Sequence, residues 1–265
     1  MRLTNTPSHK GFSLVELSIV LVILGLLVGG VLSGQSLIRA AELRAVSTEY
    51  QRYYTASQTF RDKYFSIPGD FRDATRFWQR QTATADCATN SSAATNAAGS
   101  CDGDGDGFIE FAPAASNSGE LFQFWRQLAL AGLIEGTYSG LTTAVSTGEA
   151  VPGTNVPRSK ISSTGWSVDN IGNYAGDGQN FAADYGNRLN FGKVFAGGPT
   201  VGGGMRAEEA WNIDTKVDDG RPATGKVIVY NRHVCTNSTS ATDRASTYLF
   251  TYTGDLCGFY FPQVL

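Results

Sequence analysis

Asp102, Asp104 and Asp106 stand at alternate positions in the run Cys101-Asp-Gly-Asp-Gly-Asp-Gly-Phe-Ile-Glu110. Carboxylates at the first, third and fifth positions of a loop, then a glycine and a residue offering its carbonyl (here Phe108), form the donor set that EF-hand-like loops present to Ca²⁺. Three carboxylates this close repel one another unless a cation lies between them. The twelfth position is Pro113 rather than the usual bidentate Glu, so Glu110 or Glu120 is left to take that place. The competing reading is an exposed acidic turn. A second acidic group is Asp214, Asp218 and Asp219 in Asn212-Ile-Asp-Thr-Lys-Val-Asp-Asp-Gly220. It reads either as a further metal site or as a helix end followed by an Asp-Gly turn.

Other chemistries find little support. Histidine occurs only at His9 and His233, which makes His-based triads and zinc sites hard to build. Gly220–Lys226 approaches a phosphate-binding loop, but Val227 replaces the Mg²⁺-binding hydroxyl and a strand pattern follows where a helix is required. Gly197–Gly204 is a flexible turn without a dinucleotide fingerprint, and no H-E-x-x-H or G-x-S-x-G occurs. Nothing nominates an acid pair for glycoside cleavage, and no enzyme activity is expected. With 21 Lys+Arg against 24 Asp+Glu the chain has a formal charge of −3, so there is no broad basic footprint for nucleic acid.

The four cysteines, Cys87, Cys101, Cys235 and Cys257, all follow the first forty residues. No C-x-x-C is present. An even number suits disulfides in an oxidising compartment, and sequential pairing (Cys87 with Cys101, Cys235 with Cys257) is chosen among three connectivities.

The strongest pattern lies at the start. Residues 1–11 are polar, with Arg2 and Lys10 and no acid. From Phe12 to Leu32 the chain is apolar except for Glu16. As a helix this run spans roughly 31 Å, about one hydrocarbon core. The preceding basic residues favour a cytoplasmic N-terminus. The residues after Leu32 continue as helix rather than ending in a signal-peptide cleavage site, so the anchor is expected to stay. A carboxylate inside such a helix costs several kcal/mol unless it is paired or sits near the headgroups. Cleavage after Gly11 would create a partner for it, the amine of Phe12, on the same chain or on a neighbour.

Lys10-Gly11-Phe12-Ser13-Leu14-Val15-Glu16-Leu17 resembles the class III leader of type IV pilins and type II secretion pseudopilins. The resemblance implies that a prepilin peptidase cuts between Gly11 and Phe12 and that Phe12 is then N-methylated. It also implies that Glu16 serves filament assembly, with other pilin or pseudopilin subunits and an assembly platform as partners. Implied too are a single pass through a bacterial inner membrane, a periplasmic head, and a disulfide-stapled C-terminal region. Pseudopilins often hold one calcium in a C-terminal loop, the region the Asp214–Asp219 segment resembles. Many major pilins carry a stem proline. This stem has none and is punctuated instead by Gly25, Gly29, Gly30 and Gly34, each weakening a helix by about 1 kcal/mol relative to Ala.

These features demand a particular set of elements. Val46, Tyr50, Tyr53, Tyr54, Ser57, Phe60 and Tyr64 recur at helical spacing, which predicts an amphipathic continuation of the anchor ended by Ser66-Ile67-Pro68-Gly69. The expected helix runs from Phe12 to Phe65, roughly 80 Å. Asp70 is expected to cap a short helix through Trp78. Residues 82–100 read as a polar surface loop, Glu120–Leu133 and Arg206–Asp214 as helices. Lys226–Tyr230, Thr247–Tyr252 and Leu256–Phe261 read as strands, the last two joined by Thr253-Gly254-Asp255 as a hairpin. Residues 137–186 carry no pattern that assigns an element. The expected class is α+β, a long N-terminal helix against a mainly antiparallel sheet. Its divisions are a leader (1–11), a transmembrane and assembly helix (12–38), an amphipathic continuation (39–65) and a globular head (66–265).

Overall fold

The structure, a computed structural model, describes residues 11, 13–81, 96, 98–110, 119–141 and 149–265. The chain divides into two compact units, residues 1–42 and 43–265. Helix α1 (Leu14–Tyr64) contributes to both.

In the first unit α1 has no core. Its large apolar side chains from Leu14 to Ile38 are each 51–87% exposed, so they must be covered by lipid or by other protein. By length and composition α1 is the one helix among the described residues able to cross a membrane. Near the end of this unit Arg39 pairs with Glu42 one turn away, at 3.2 Å.

In the second unit the same helix acquires a buried stripe at Val46, Tyr50, Tyr53, Ser57 and Phe60, with Tyr64 partly buried behind it. The alternating spacing of four and three keeps these residues on one face. Tyr50 stacks on Phe261 with ring centroids 4.3 Å apart, and Tyr53 meets Trp125 and Trp166 edge-on at 5.0 and 5.6 Å. Tyr54, expected in the stripe, is 38% exposed because it falls outside this arc. The helix ends where Phe65 turns left-handed (φ 54°) and Pro68-Gly69 follows. Gly69 cannot carry a side chain, since a Cβ would lie 2.5 Å from the Glu120 carbonyl oxygen.

The sheet is antiparallel with order β1-β4-β6-β5: β1 Thr164–Asn170, β4 Asn187–Lys193, β6 Gly258–Phe261 and β5 Ile228–Tyr230. A small ribbon, β2 (Asn173–Tyr174) with β3 (Ala183–Asp184), lies between β1 and β4 in the chain. Trp166, Phe191 and Phe261 cluster on the face that meets α1. On the other face Ser167, Asp169, Arg188 and Asn190 are also buried. Arg188 holds Asp169 at 2.7 Å and lies 3.9 Å from the Tyr260 ring centroid, and the Thr200 backbone N–H donates to Ser167 at 2.9 Å. Sealing both faces hides the inward–outward alternation expected of a half-exposed sheet.

Helix α2 is Ala74–Trp78, α3 is Glu120–Leu130, α4 is Ala207–Val217 and α5 is Arg232–Cys235. Helix α3 is buried on its polar side too. Gln123 donates to Gln81 and to the Gly140 carbonyl, Gln127 to the Cys101 carbonyl, and Arg126 to the Tyr138 carbonyl. It therefore ties three loops to the core rather than resting on it with one face.

Several expectations are corrected, among them two element ends: the helix expected over 206–214 runs from Ala207 to Val217, and the strand expected over 256–261 begins at Gly258. Asp70 does not cap α2; it is buried, and its carboxylate accepts from the backbone of Gly105 and Gly107. Helix α3 stops at Leu130 rather than Leu133, at Ala131 and the left-handed Gly132. The expected hairpin of 247–252 with 256–261 is absent. Phe250 and Tyr252 are 55% and 42% exposed, Tyr248 makes only an isolated bridge to Thr236, and β6 pairs with β4 and β5 instead. The strand expected over 226–230 begins at Ile228, because the Lys226 N–H is spent on the Asp218 carboxylate.

Candidate functional sites

Ser13 and Glu16 open α1 as a reciprocal cap. The Val15 N–H donates to the Ser13 hydroxyl at 3.3 Å and the Ser13 N–H to the Glu16 carboxylate at 2.9 Å. This is the capping-box arrangement, written in the sequence as S-x-x-E. It shows that the Glu16 carboxylate reaches back over the first turn, towards the peptide that joins residues 12 and 13. Gly11 is exposed. Phe12 lies outside the described residues.

The first acidic group forms, with different members. Ligand oxygens of Asp70, Asp104 and Asp106 lie within 4.8 Å of one another, as do those of Asp104, Glu110 and Glu120. Asp102 is not among them. Its carboxylate accepts from the Thr75 N–H at 2.7 Å and the Thr75 hydroxyl at 2.9 Å, and so caps α2 from a distant segment. Phe108 donates its N–H to Asp106 at 2.8 Å and leaves its ring 51% exposed. Asp70, which sequence spacing could not nominate, replaces Asp102 because the loop packs against it: a Cβ on Gly103 would lie 2.4 Å from the Asp70 Cα. Burial, partly offset by the Gly107 and Gly105 N–H bonds and reinforced by Asp106 and Asp104, pushes the Asp70 carboxyl up to about 6. Burial and the neighbouring Glu110 carboxyl raise Glu120 well above the ordinary range. Ionised together these crowded oxygens would repel one another, and a divalent cation bound among them would have to displace the protons they hold.

The second group also comes together: oxygens of Asp214, Asp218 and Asp219 meet the same limit. Here, as for Asp70, Asp104 and Asp106, each acid accepts from protein donors. Asp214 is fully buried and accepts from the Tyr248 hydroxyl at 2.7 Å and the Gly220 N–H at 3.3 Å. Asp219 accepts from the Arg221 N–H and the Thr224 hydroxyl, each at 2.8 Å, and Asp218 from the Lys226 N–H. The group organises the turn after α4. Burial raises Asp214 to about 7, although the Tyr248 bond favours its charged form.

Cys235 and Cys257 form a disulfide, with Cα atoms 5.5 Å apart, joining the end of α5 to the residue before β6. Cys101 is also disulfide-bonded. Its expected partner Cys87 lies outside the described residues.

Glu49 is a charged residue of α1 that the structure buries. Its carboxylate accepts from the Ser159 hydroxyl at 2.6 Å, the Trp166 indole N–H at 2.7 Å and the Lys160 N–H at 3.3 Å. It anchors the chain before β1 to α1.

Comparison with curated proteins, and with solved structures, gives no match. Residues 6–32 match the family model described as the prokaryotic N-terminal methylation motif, so the chain carries the class III prepilin-type motif of type IV pilins and pseudopilins.

Proposed function

We propose that this chain is a structural subunit of a type IV pilus-like or type II secretion pseudopilus filament. Prepilin peptidase cuts it between Gly11 and Phe12, Phe12 is N-methylated, and the mature subunit assembles through α1. Before assembly it spans the inner membrane once, with residues 43–265 in the periplasm. The observation carrying this reading is the stretch of α1 from Leu14 to Leu32, exposed and apolar but for Glu16 and Ser18, placed just behind Gly11 in the matched motif. A helix of that composition needs lipid before assembly and neighbouring helices after it. Among the described residues no cation pairs with Glu16, so a new amine at Phe12 or on an adjacent subunit is the charge that makes its burial tolerable.

The test is the intact mass of chain extracted from the membrane of cells that own the peptidase. Loss of residues 1–11 together with one added methyl group is expected. Gly11→Val should leave the precursor uncut. Glu16→Val should be processed normally yet fail to enter filaments. An uncut, solitary wild-type chain would instead identify a signal-anchored periplasmic domain.

A further inference from the structure

On the flank of α1, within the unit formed by residues 43–265, a cleft of about 640 Å³ opens between Glu49 and Arg52 of the helix, Glu135 and Tyr138 after α3, and Arg158 and Lys160 before β1. That volume suits a small ligand. The cations come from two segments far apart in sequence, in a chain whose net charge is negative. Among the described residues, none of Arg52, Arg158 and Lys160 forms an ion pair.

Their surroundings hold them open. Arg52 donates to the Tyr53 hydroxyl at 2.8 Å and sits 4.8 Å from that ring's centroid, which fixes its guanidinium at the cleft wall. Arg158 donates to the Pro152 carbonyl at 3.2 Å, and its other N–H groups make no hydrogen bond among the described residues. Glu49 does not neutralise them by contact, because its carboxylate is turned inward and taken by Ser159, Trp166 and the Lys160 backbone. Burial pushes the Tyr138 hydroxyl up, the Arg52 charge pulls it back, and the Glu135 carboxylate, which also lines the cleft, pushes it up, so three cations face this one acid and the inward-turned Glu49.

We propose that this cleft binds a small soluble molecule carrying two or more oxyanion groups, carboxylates above all. Two planar guanidinium forks match carboxylates bidentately, and Lys160 adds a third, movable donor. The site is independent of the filament reading, since no residue of it belongs to the anchor or to the methylation motif.

The test is calorimetric titration of the full chain in detergent micelles with citrate, inorganic phosphate and glucose. Citrate is expected to bind once per chain, phosphate at least about tenfold more weakly for want of reach, and glucose not at all. Arg158→Gln with Lys160→Gln, both exposed and outside the core, should weaken citrate at least about tenfold at an unchanged melting temperature. Lys216→Gln, remote from the cleft, should leave it unaltered. Absence of citrate binding at about 10 mM, affinity unchanged in the double variant, or an equal loss in Lys216→Gln would each overturn the proposal.

Discussion

Asp214→Asn is expected to stabilise the head above neutral pH. Asp214 is fully buried beside Asp218 and Asp219, with its carboxyl raised from 3.8 to about 7. Between those values the folded chain holds a proton that the unfolded chain has released. Stability from this group is therefore full below about pH 4 and lost as pH rises through about 7. At about 1.4 kcal/mol per pH unit the ceiling is about 4 kcal/mol. Asn removes the charge and keeps one oxygen for the Tyr248 hydroxyl, but it gives up the second acceptor, which faces the Gly220 N–H, at a cost of about 1 kcal/mol. The net expectation is a gain of about 1–3 kcal/mol at pH 8 and a loss of up to about 1 kcal/mol at pH 4. The assay is thermal unfolding of both chains at pH 4, 6 and 8 in detergent with chelator, followed by near-ultraviolet circular dichroism. A variant less stable than wild type at pH 8, or a difference independent of pH, would refute the reasoning.

Other outcomes follow from the same geometry. Calcium at about 5 mM should raise the melting temperature at pH 7.5, and Asp104→Asn with Asp106→Asn should remove most of the increase; an equal increase in the variant would rule out that loop. Trp166→Phe deprives the buried Glu49 carboxylate of its 2.7 Å donor and leaves a void, and denaturant titration should show a loss of about 2–4 kcal/mol. Cys235→Ser with Cys257→Ser should cost about 3 kcal/mol, read in the same way.

The apolar run, its lone acid and the leader-like motif before it were legible in the sequence because they are local. An unbroken apolar run, a charge within it and a glycine before it need no tertiary partner to be recognised. The buried stripe from Val46 to Phe60 was legible for the same reason, since helical periodicity is a short-range signal. The Cys235–Cys257 pairing was reached by choosing adjacent partners, and the structure bears it out.

Tertiary structure decided what depends on distant segments. Asp70 displaced Asp102 from the acidic group because the Gly103 backbone packs against Asp70, and Thr75 was free to take Asp102. Glu49 went inside because Ser159 and Trp166, more than a hundred residues away, supplied donors. The segment 247–252 has strand-like composition yet forms no strand, because β5 and β4 already occupy both edges of β6. Pairing, burial of charge and convergence of side chains are set by which surfaces meet in three dimensions, and residue type and local spacing do not encode that meeting.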